Sequence, residues 1–371
     1  MQVDMSEKDA TLSLLLIKGL GSRRFFRLRK VFGSALDVWK HASRKGLEGL
    51  VPDSVSQAIL KGPDEKGLKK LKETCKREGF WLLFYNDPDY PPSLRHIHDP
   101  PALLFGAGNR KVLSSRCVAI VGSRKSSTYG QRVCVSIAKS LSEAGLTIVS
   151  GLALGIDACA HRAAVESGGS TIAVKGCGLD VRYPMRNVSL AEKISENGAV
   201  ISEFFPEVMA EPGNFPARNR IISGLSLGVV VVEGGVKSGS LITAYLALEQ
   251  GREVMAVPGS VFSHGSKGCH KLIKEGATLV ESGKDVLETL GLDKGFANTN
   301  SPEKPHKRPA ISGEAGKVID KLEADPQHID EIAFKCSMPA SRVASILIEL
   351  ELKDLVTSWG SGMYSLIKSN E

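Results

Sequence analysis

No stretch of this 371-residue chain is apolar for long enough to cross a bilayer: the longest runs, such as Leu12 to Ile17 and Val229 to Val232, fall far short of the ~20 residues a membrane helix needs. The N-terminus also lacks the basic-then-apolar order of a signal peptide, which predicts a cytoplasmic protein without a membrane partner. No C-x-x-C pair occurs among the seven cysteines (75, 117, 134, 159, 177, 269 and 336), and their odd number and scatter argue against a disulfide framework and a zinc site alike. They read as reduced and mostly buried. Net charge is missing from most of the chain: residues 1–80 carry 17 Lys and Arg against 10 Asp and Glu, while the remainder balances 31 against 31. The formal charge of +7 therefore belongs to the N-terminal segment. A basic module beside a neutral one suggests an acidic partner, nucleic acid first, although lysine-rich helical faces are often simply solvated.

Nucleotide fingerprints are missing too. Gly122-Ser123-Arg124-Lys125 is neither G-x-G-x-x-G nor G-x-x-x-x-G-K-[ST], and the next strand ends at Ser150 without the acidic residue that would hold a ribose. No G-x-S-x-G elbow exists. These absences argue against a dinucleotide cofactor, a P-loop ATPase and an elbow hydrolase, and no cofactor or metal is expected. Asp157 and His161, one helical turn apart, read as a hydrogen-bonded pair on a helix face. Cys177 and Cys269 are expected in loops, as structural thiols.

What is present has the order of an α/β protein with a helical module at each end. Residues 1–79 read as a small helical domain, with Leu12, Leu15 and Leu16, then Phe25, Phe26, Leu28, Val31 and Phe32, at helical spacing. Between them, Lys18-Gly19-Leu20-Gly21-Ser22 resembles the turn of a helix-hairpin-helix; a single copy is either a phosphate holder or a plain turn between packed helices. Residues 80–115 form a proline-rich strap, with a strand over Phe80 to Tyr85 and repeated prolines that argue against helix. From 116 to 290 strand and helix alternate as in a Rossmann-like, doubly wound parallel sheet. Its expected strands are Cys117 to Val121, Leu146 to Val149, Ser170 to Val174, Ala199 to Ser202, Leu227 to Val232, Glu253 to Val257 and Thr278 to Val280. A linker is expected over 291–313, then a winged-helix-like domain over 314–371 whose balanced charge suits a protein contact or a structural role as well as DNA.

Loops at the carboxyl ends of parallel strands gather on the ligand-binding edge of such a sheet, and here nearly all are rich in glycine, as close approach to a phosphate requires. A helix is predicted to start at Asn214-Phe215-Pro216-Ala217-Arg218-Asn219-Arg220. Its free N–H groups with Arg218 and Arg220 favour an anion, and Phe215 offers a ring face to a base. Arg124 and Lys237 are the other cations of this edge, and Gly122, Ser123, Ser238, Gly239 and Ser240 supply N–H or hydroxyl donors. The set suits a polyphosphate backbone.

At these same loops the chain closely resembles the bacterial DNA-processing protein A family (DprA, or Smf). The matching stretches include Val121-Gly122-Ser123-Arg124, Ser150-Gly151-Leu152-Ala153, Gly155-Ile156-Asp157, Tyr183-Pro184, Phe215 to Ser226 and Lys237-Ser238-Gly239-Ser240-Leu241-Ile242-Thr243-Ala244. The resemblance implies an extended Rossmann core that forms a homodimer, binds single-stranded DNA without sequence preference and helps load the RecA recombinase during natural transformation, without catalysis. Carried over by motif, Arg124 grips a phosphate, Arg218 and Lys237 line the pocket and Phe215 contacts a base. Met185 and Pro212 stand where relatives can have lysine, and Arg186 is a candidate substitute for the first. A rival reading is a phosphoribohydrolase-like enzyme acting on nucleotides, since Glu233-Gly234-Gly235-Val236-Lys237-Ser238-Gly239-Ser240 is similar to that class's P-G-G-x-G-T turn, without the Pro and with Ser-Gly-Ser for Gly-Thr.

Overall fold

The computed structural model describes residues 5–293, 313–323, 326–351, 353, 355–360 and 362–366, in two units divided between Ala297 and Asn298. The expected linker lies almost entirely outside the described residues. The first unit opens with six helices: α1 Glu7–Leu15, α2 Ser22–Phe32, α3 Ala35–His41, α4 Arg44–Leu47, α5 Asp53–Lys61 and α6 Glu65–Arg77. Leu14, Leu20, Phe25, Leu28, Val38, Leu47 and Ile59 close its small core. No helix among the described residues is long and apolar enough to cross a membrane.

The next segment is more than a strap. β1 (Trp81–Phe84), the short helix α7 (Pro92–Arg95) and β2 (Leu103–Gly108) precede the α/β alternation, and β2 pairs antiparallel with a core strand. The sheet therefore starts some thirty-five residues before the expected boundary at 116. Nor do the prolines exclude helix, because Pro92 occupies the first turn of α7, where no N–H is needed. β2 was not expected, since its Gly106 reads as a breaker; a Cβ there would lie 2.1 Å from the Trp81 ring, so the glycine makes room for the cross-strand indole. Helix α6 packs on these strands through Leu68, Leu71 and Cys75 against Phe84, Leu103 and Phe105.

The alternation then runs β3 (Cys117–Gly122), α8 (Thr128–Glu143), β4 (Thr147–Ser150), α9 (Ile156–Glu166), β5 (Thr171–Lys175), α10 (Val188–Asn197), β6 (Ala199–Ser202), α11 (Asn214–Leu225), β7 (Gly228–Glu233), α12 (Gly239–Glu249), β8 (Glu253–Ala256), α13 (Lys267–Lys274), β9 (Thr278–Leu279) and α14 (Gly283–Thr289). The nine strands order as β1-β2-β6-β5-β4-β3-β7-β8-β9, parallel from β6 to β9. Successive side chains of a strand point to opposite faces. Ala119, Val121, Val229 and Val231 accordingly join α11, α12 and α13 on one face, while Val118, Ile120, Val230 and Val232 join α8, α9 and α14 on the other. Burial on both faces is why these strands read as unbroken apolar runs. The strand order reverses between β3 and β7, which opens a crevice at their carboxyl ends.

The second unit folds around Val318, Ile332, Val343, Ile346, Leu347 and Leu350. Helices α15 (Glu314–Lys321), α16 (Ile329–Cys336) and α17 (Ala340–Glu351) combine with β10 (Gln327–His328), β11 (Val356–Gly360) and β12 (Met363–Leu366), ordered β10-β12-β11. Three helices and a terminal hairpin make it a winged helix.

Candidate nucleic-acid interface

A cleft of about 1060 Å³ opens at the switch point, between the loops that follow β3 and β7 and the start of α11. Its walls contain Gly122, Ser123, Arg124, Phe215, Arg218, Lys237, Ser238, Gly239 and Ser240, nine of the eleven residues expected from sequence. Lys125, Tyr183, Asn219, Thr243 and His264 join them. Lys125 was legible as the neighbour of Arg124, and Tyr183, Asn219 and Thr243 lie within the matching motifs, but His264 carries no local signal.

Two helix N-termini near this crevice differ in what they can offer. The first turn of α8 is occupied by the chain's own carboxylate: Glu233 Oε2 accepts from Ser127 N–H at 2.9 Å and from Ser127 Oγ at 3.1 Å. Gly130 makes room, since a Cβ there would stand 2.2 Å from that oxygen. Dinucleotide-binding folds place a pyrophosphate at this helix end, and Glu233 now fills the role with a built-in anion. The same contact engages the carboxylate that a phosphoribohydrolase-like reading would use. By contrast α12 begins in the cleft wall with only a hydroxyl cap, Ser238 Oγ, 3.4 Å from Ser240 N and 2.8 Å from Ser240 Oγ. Lys237 stands exposed beside it.

The aromatic group of the cleft lies under a cation. Phe215 is half-buried, the Arg124 guanidinium stands over its ring at 5.2 Å, and the Tyr183 ring is 5.7 Å away. Gly176 backs the ring, where a Cβ would come within 2.9 Å of it. Arg124, Lys125 and Lys237 are exposed and make no ion pair among the described residues.

Arg218 forms the floor. It is 4% exposed and donates through Nη1 to the carbonyls of Gly151, at 2.7 Å, and Val174, bracing the ends of β4 and β5 from α11. Burial draws its pKa down to about 10, against the opposing pull of Asp157 and with help from the Arg124 charge, so at neutral pH the guanidinium stays cationic. Burial likewise pushes the Asp157 carboxyl up, although Arg218 and the backbone N–H groups of Ala153, Gly151 and Gly122 favour its charged form. Asp157 accepts from Gly151 N at 3.2 Å, and His161 bonds instead to Thr171 Oγ1 at 2.7 Å, so the expected pair between the two is not made. Each was claimed by a neighbouring strand or loop, which faces this buried helix more closely than one turn faces the next.

Two expected site residues lie elsewhere. Arg220 follows Arg218 by two positions, about 200° around a helix, and points to the opposite side. There it pairs with Glu203 at 2.7 Å and Asp99 at 3.4 Å, in the wall of a second cleft of about 1040 Å³ against the N-terminal helices. Arg186 is exposed in the single turn Met185–Asn187 and lies outside the cleft lining; Pro212 lines the cleft. Cys177 and Cys269 are both buried with pKa values raised by burial, Cys269 to about 12, and Cys269 belongs to α13 and not to a loop. The Lys18 to Ser22 turn also faces the second cleft, where Ser22 Oγ donates to Glu203 at 2.7 Å.

The sequence model of the DNA recombination-mediator protein A family matches residues 81–291, more than half of the chain. The chain belongs to this family, the DprA/Smf proteins. The family's winged-helix model matches residues 302–362. Among family members, the DNA processing protein DprA of Bacillus subtilis is 43% identical over 248 residues, which cover 66% of this chain and 84% of that protein. The crystal structure of DprA from Streptococcus pneumoniae superposes with a TM-score of 0.68 at 39% identity, covering 76% of this chain and 97% of that one. A second solved member, from Helicobacter pylori, has a TM-score of 0.53 at 31% identity over 58% of this chain and 96% of its own, and is described by its single-stranded DNA binding mode. The match to the family begins at β1, in agreement with the sheet and against the expected boundary at 116.

Proposed function

We propose that this protein binds single-stranded DNA without sequence preference in the cleft at the β3/β7 switch point, and performs no chemistry on it. The observation that carries the reading is a half-buried ring, Phe215, under the exposed Arg124 guanidinium in a cleft that also holds the exposed Lys237 and the open N-terminus of α12. Phosphates need charge and N–H donors, and an unpaired base needs a π face; every base has one, so such a site does not read sequence. Arg124 and Lys237 take phosphates, Ser238, Gly239 and Ser240 add donors, and Arg218 supplies buried positive potential from below. Membership of a family described as recombination mediators supports the further reading that the bound strand is handed to the RecA recombinase during transformation or recombination in the cytoplasm. For a homodimer through the core, the adjacent Val261 and Phe262, 70% and 94% exposed in the loop between β8 and α13, are the apolar residues to test as a subunit contact.

Fluorescence anisotropy with labelled single-stranded and duplex oligonucleotides across a salt series tests the site. Single strands are expected to bind more tightly, and Arg124→Ala with Lys237→Ala should flatten the salt slope by roughly 1.4, about 0.7 for each phosphate left without its cation. Equal binding by the double variant, or indifference of the wild type to single strands, would remove the assignment.

A further inference from the structure

Two of the seven cysteines face each other across the packed helices α8 and α9. The Cys134 thiol reaches the carbonyl of Ile156 at 3.6 Å, and the Cys159 thiol reaches the carbonyl of Gln131 at 3.5 Å. Each thiol thus touches the backbone three residues before the other cysteine. A helical side chain leans over the turn N-terminal to its own Cα, so both sulfurs occupy the same stretch of the interface. Cys134 is fully buried and Cys159 only partly.

From this reciprocal geometry we propose that Cys134 and Cys159 form a dithiol site that low-molecular-weight disulfides oxidise to an intramolecular disulfide, and that closing it loosens the DNA-binding loop after β3. The second half rests on the function proposed above. When Cys159 ionises, the Cys134 S–H turns from the Ile156 carbonyl to the Cys159 thiolate and lowers its pKa, with burial opposing and Arg162 assisting, while the pKa of Cys134 rises. Cys159, the more accessible and more acidic thiol, is therefore the attacking group. Its thiolate displaces one glutathione thiolate from glutathione disulfide and forms a mixed disulfide. Cys134 then gives its proton to solvent and attacks the Cys159 sulfur, and the second glutathione thiolate leaves. The protein loses two protons and two electrons, and one glutathione disulfide becomes two thiols.

The link to the cleft is short. Cys134 donates to the carbonyl of Ile156, and Ile156 donates its own N–H to Ser123 O at 3.1 Å. The Ile156 side chain also lies beneath Gly122, where a Cβ would come within 2.6 Å of it. Oxidation removes the thiol proton that holds the Ile156 carbonyl and draws the two helices together at the residue supporting Gly122 and Ser123.

The full chain, incubated with glutathione disulfide, is read by intact mass without reductant, peptide mapping and alkylation of residual thiols. The wild type is expected to lose two hydrogens with a Cys134–Cys159 cross-link. Cys134→Ala should stop at a stable glutathione adduct on Cys159, and Cys159→Ser should leave Cys134 unreacted. A persistent adduct on Cys159 in the wild type, or both thiols still open to alkylation after unfolding, would overturn the site. Oligothymidine anisotropy on the oxidised protein should show binding weakened by about fivefold or more, restored by dithiothreitol. A cross-linked protein with unchanged affinity overturns the coupling and leaves the dithiol site standing. Reduced protein that ignores oligothymidine instead sinks the DNA reading, on which the mass measurement does not depend.

Discussion

The clefts on either side of α11 are nearly equal in volume, about 1060 and 1040 Å³, and both are lined with arginine, yet they hold their charge in opposite ways. In the second cleft every arginine is engaged. Arg220 meets Glu203 and Asp99, Arg23 meets Asp99 at 2.9 Å, and Arg24 and Arg27 donate to the carbonyls of Gly19 and Gly49. Its remaining walls are largely apolar, with Leu15, Leu16, Leu20, Leu103, Phe204 and Leu246. In the switch-point cleft, Arg124, Lys125 and Lys237 have no carboxylate partner among the described residues, while Arg218 donates to Asn219 and to the carbonyls of Gly151 and Val174 and answers the Asp157 carboxyl. Counting cations cannot distinguish the two clefts. Asking which arginines already have a carboxylate or carbonyl partner does, because an engaged arginine holds the fold, and Arg124, which has neither among the described residues, remains available to a phosphate.

The largest expected effect separates those roles. Arg220→Met should leave the half-buried Glu203 without its arginine and Asp99 with Arg23 alone, at a cost approaching about 3 kcal/mol in urea unfolding, while the protein that remains folded binds single strands as before. Arg124→Ala should do the reverse, holding stability within about 0.5 kcal/mol and weakening binding. If folded Arg220→Met protein loses DNA affinity as Arg124→Ala does, the two clefts are not distinct in function.

Phe215 gives a smaller, sharper test. Its ring lies under the Arg124 guanidinium and beside Tyr183, whereas in the second cleft Phe205 packs edge-on against Phe105 and no cation among the described residues stands over Phe204 or Phe205. Phe215→Ala should cost about 1–3 kcal/mol of single-strand binding, and Phe215→Trp should retain most of it. Phe204→Ala, read by the same anisotropy, is expected to leave binding unchanged. An equal loss from both would show that the rings act through packing and not through a base.

Much of this arrangement was legible in the sequence, for physical reasons. The seven core strands fall within about a residue of expectation because burial on both faces forces continuous apolar runs, and tight turns at their ends demand glycine. The cleft loops followed, since topology fixes where the carboxyl ends of parallel strands lie. Strand β2 was hidden because Gly106 answers to an indole far away in the chain, which local propensity does not register. The orientation of Arg220 was hidden for a similar reason: Asp99 and Glu203 come from other parts of the chain, and only the fold brings them to it. Arg186 lies outside the cleft lining, and adjacency to Met185 could not have told which way a one-turn segment points.

The smallest expected difference is one of pH, and it belongs to the switch-point side. His161 is fully buried beneath that cleft on α9, and burial, with the charges of Arg218 and Arg162, lowers its pKa from 6.5 to about 3. Thr171 Oγ1 donates to the carbonyl of Ile148 at 2.7 Å, so it receives its bond from His161 Nδ1–H, which fixes a neutral tautomer with Nε2 bare. The unfolded chain takes up a proton near pH 6.5 and the folded chain only near 3, so stability contributed by the neutral ring is complete above 6.5 and is lost as pH falls through that window. One pH unit below 6.5 the loss is about 1.4 kcal/mol. Urea unfolding of the wild type against His161→Asn, followed from pH 7.5 down to about 5, should show the wild type losing this extra increment while the variant's curve stays flatter. Parallel curves would mean that the ring is protonated in the folded state, and that the switch-point side carries one more positive charge than the comparison between the clefts assigns to it.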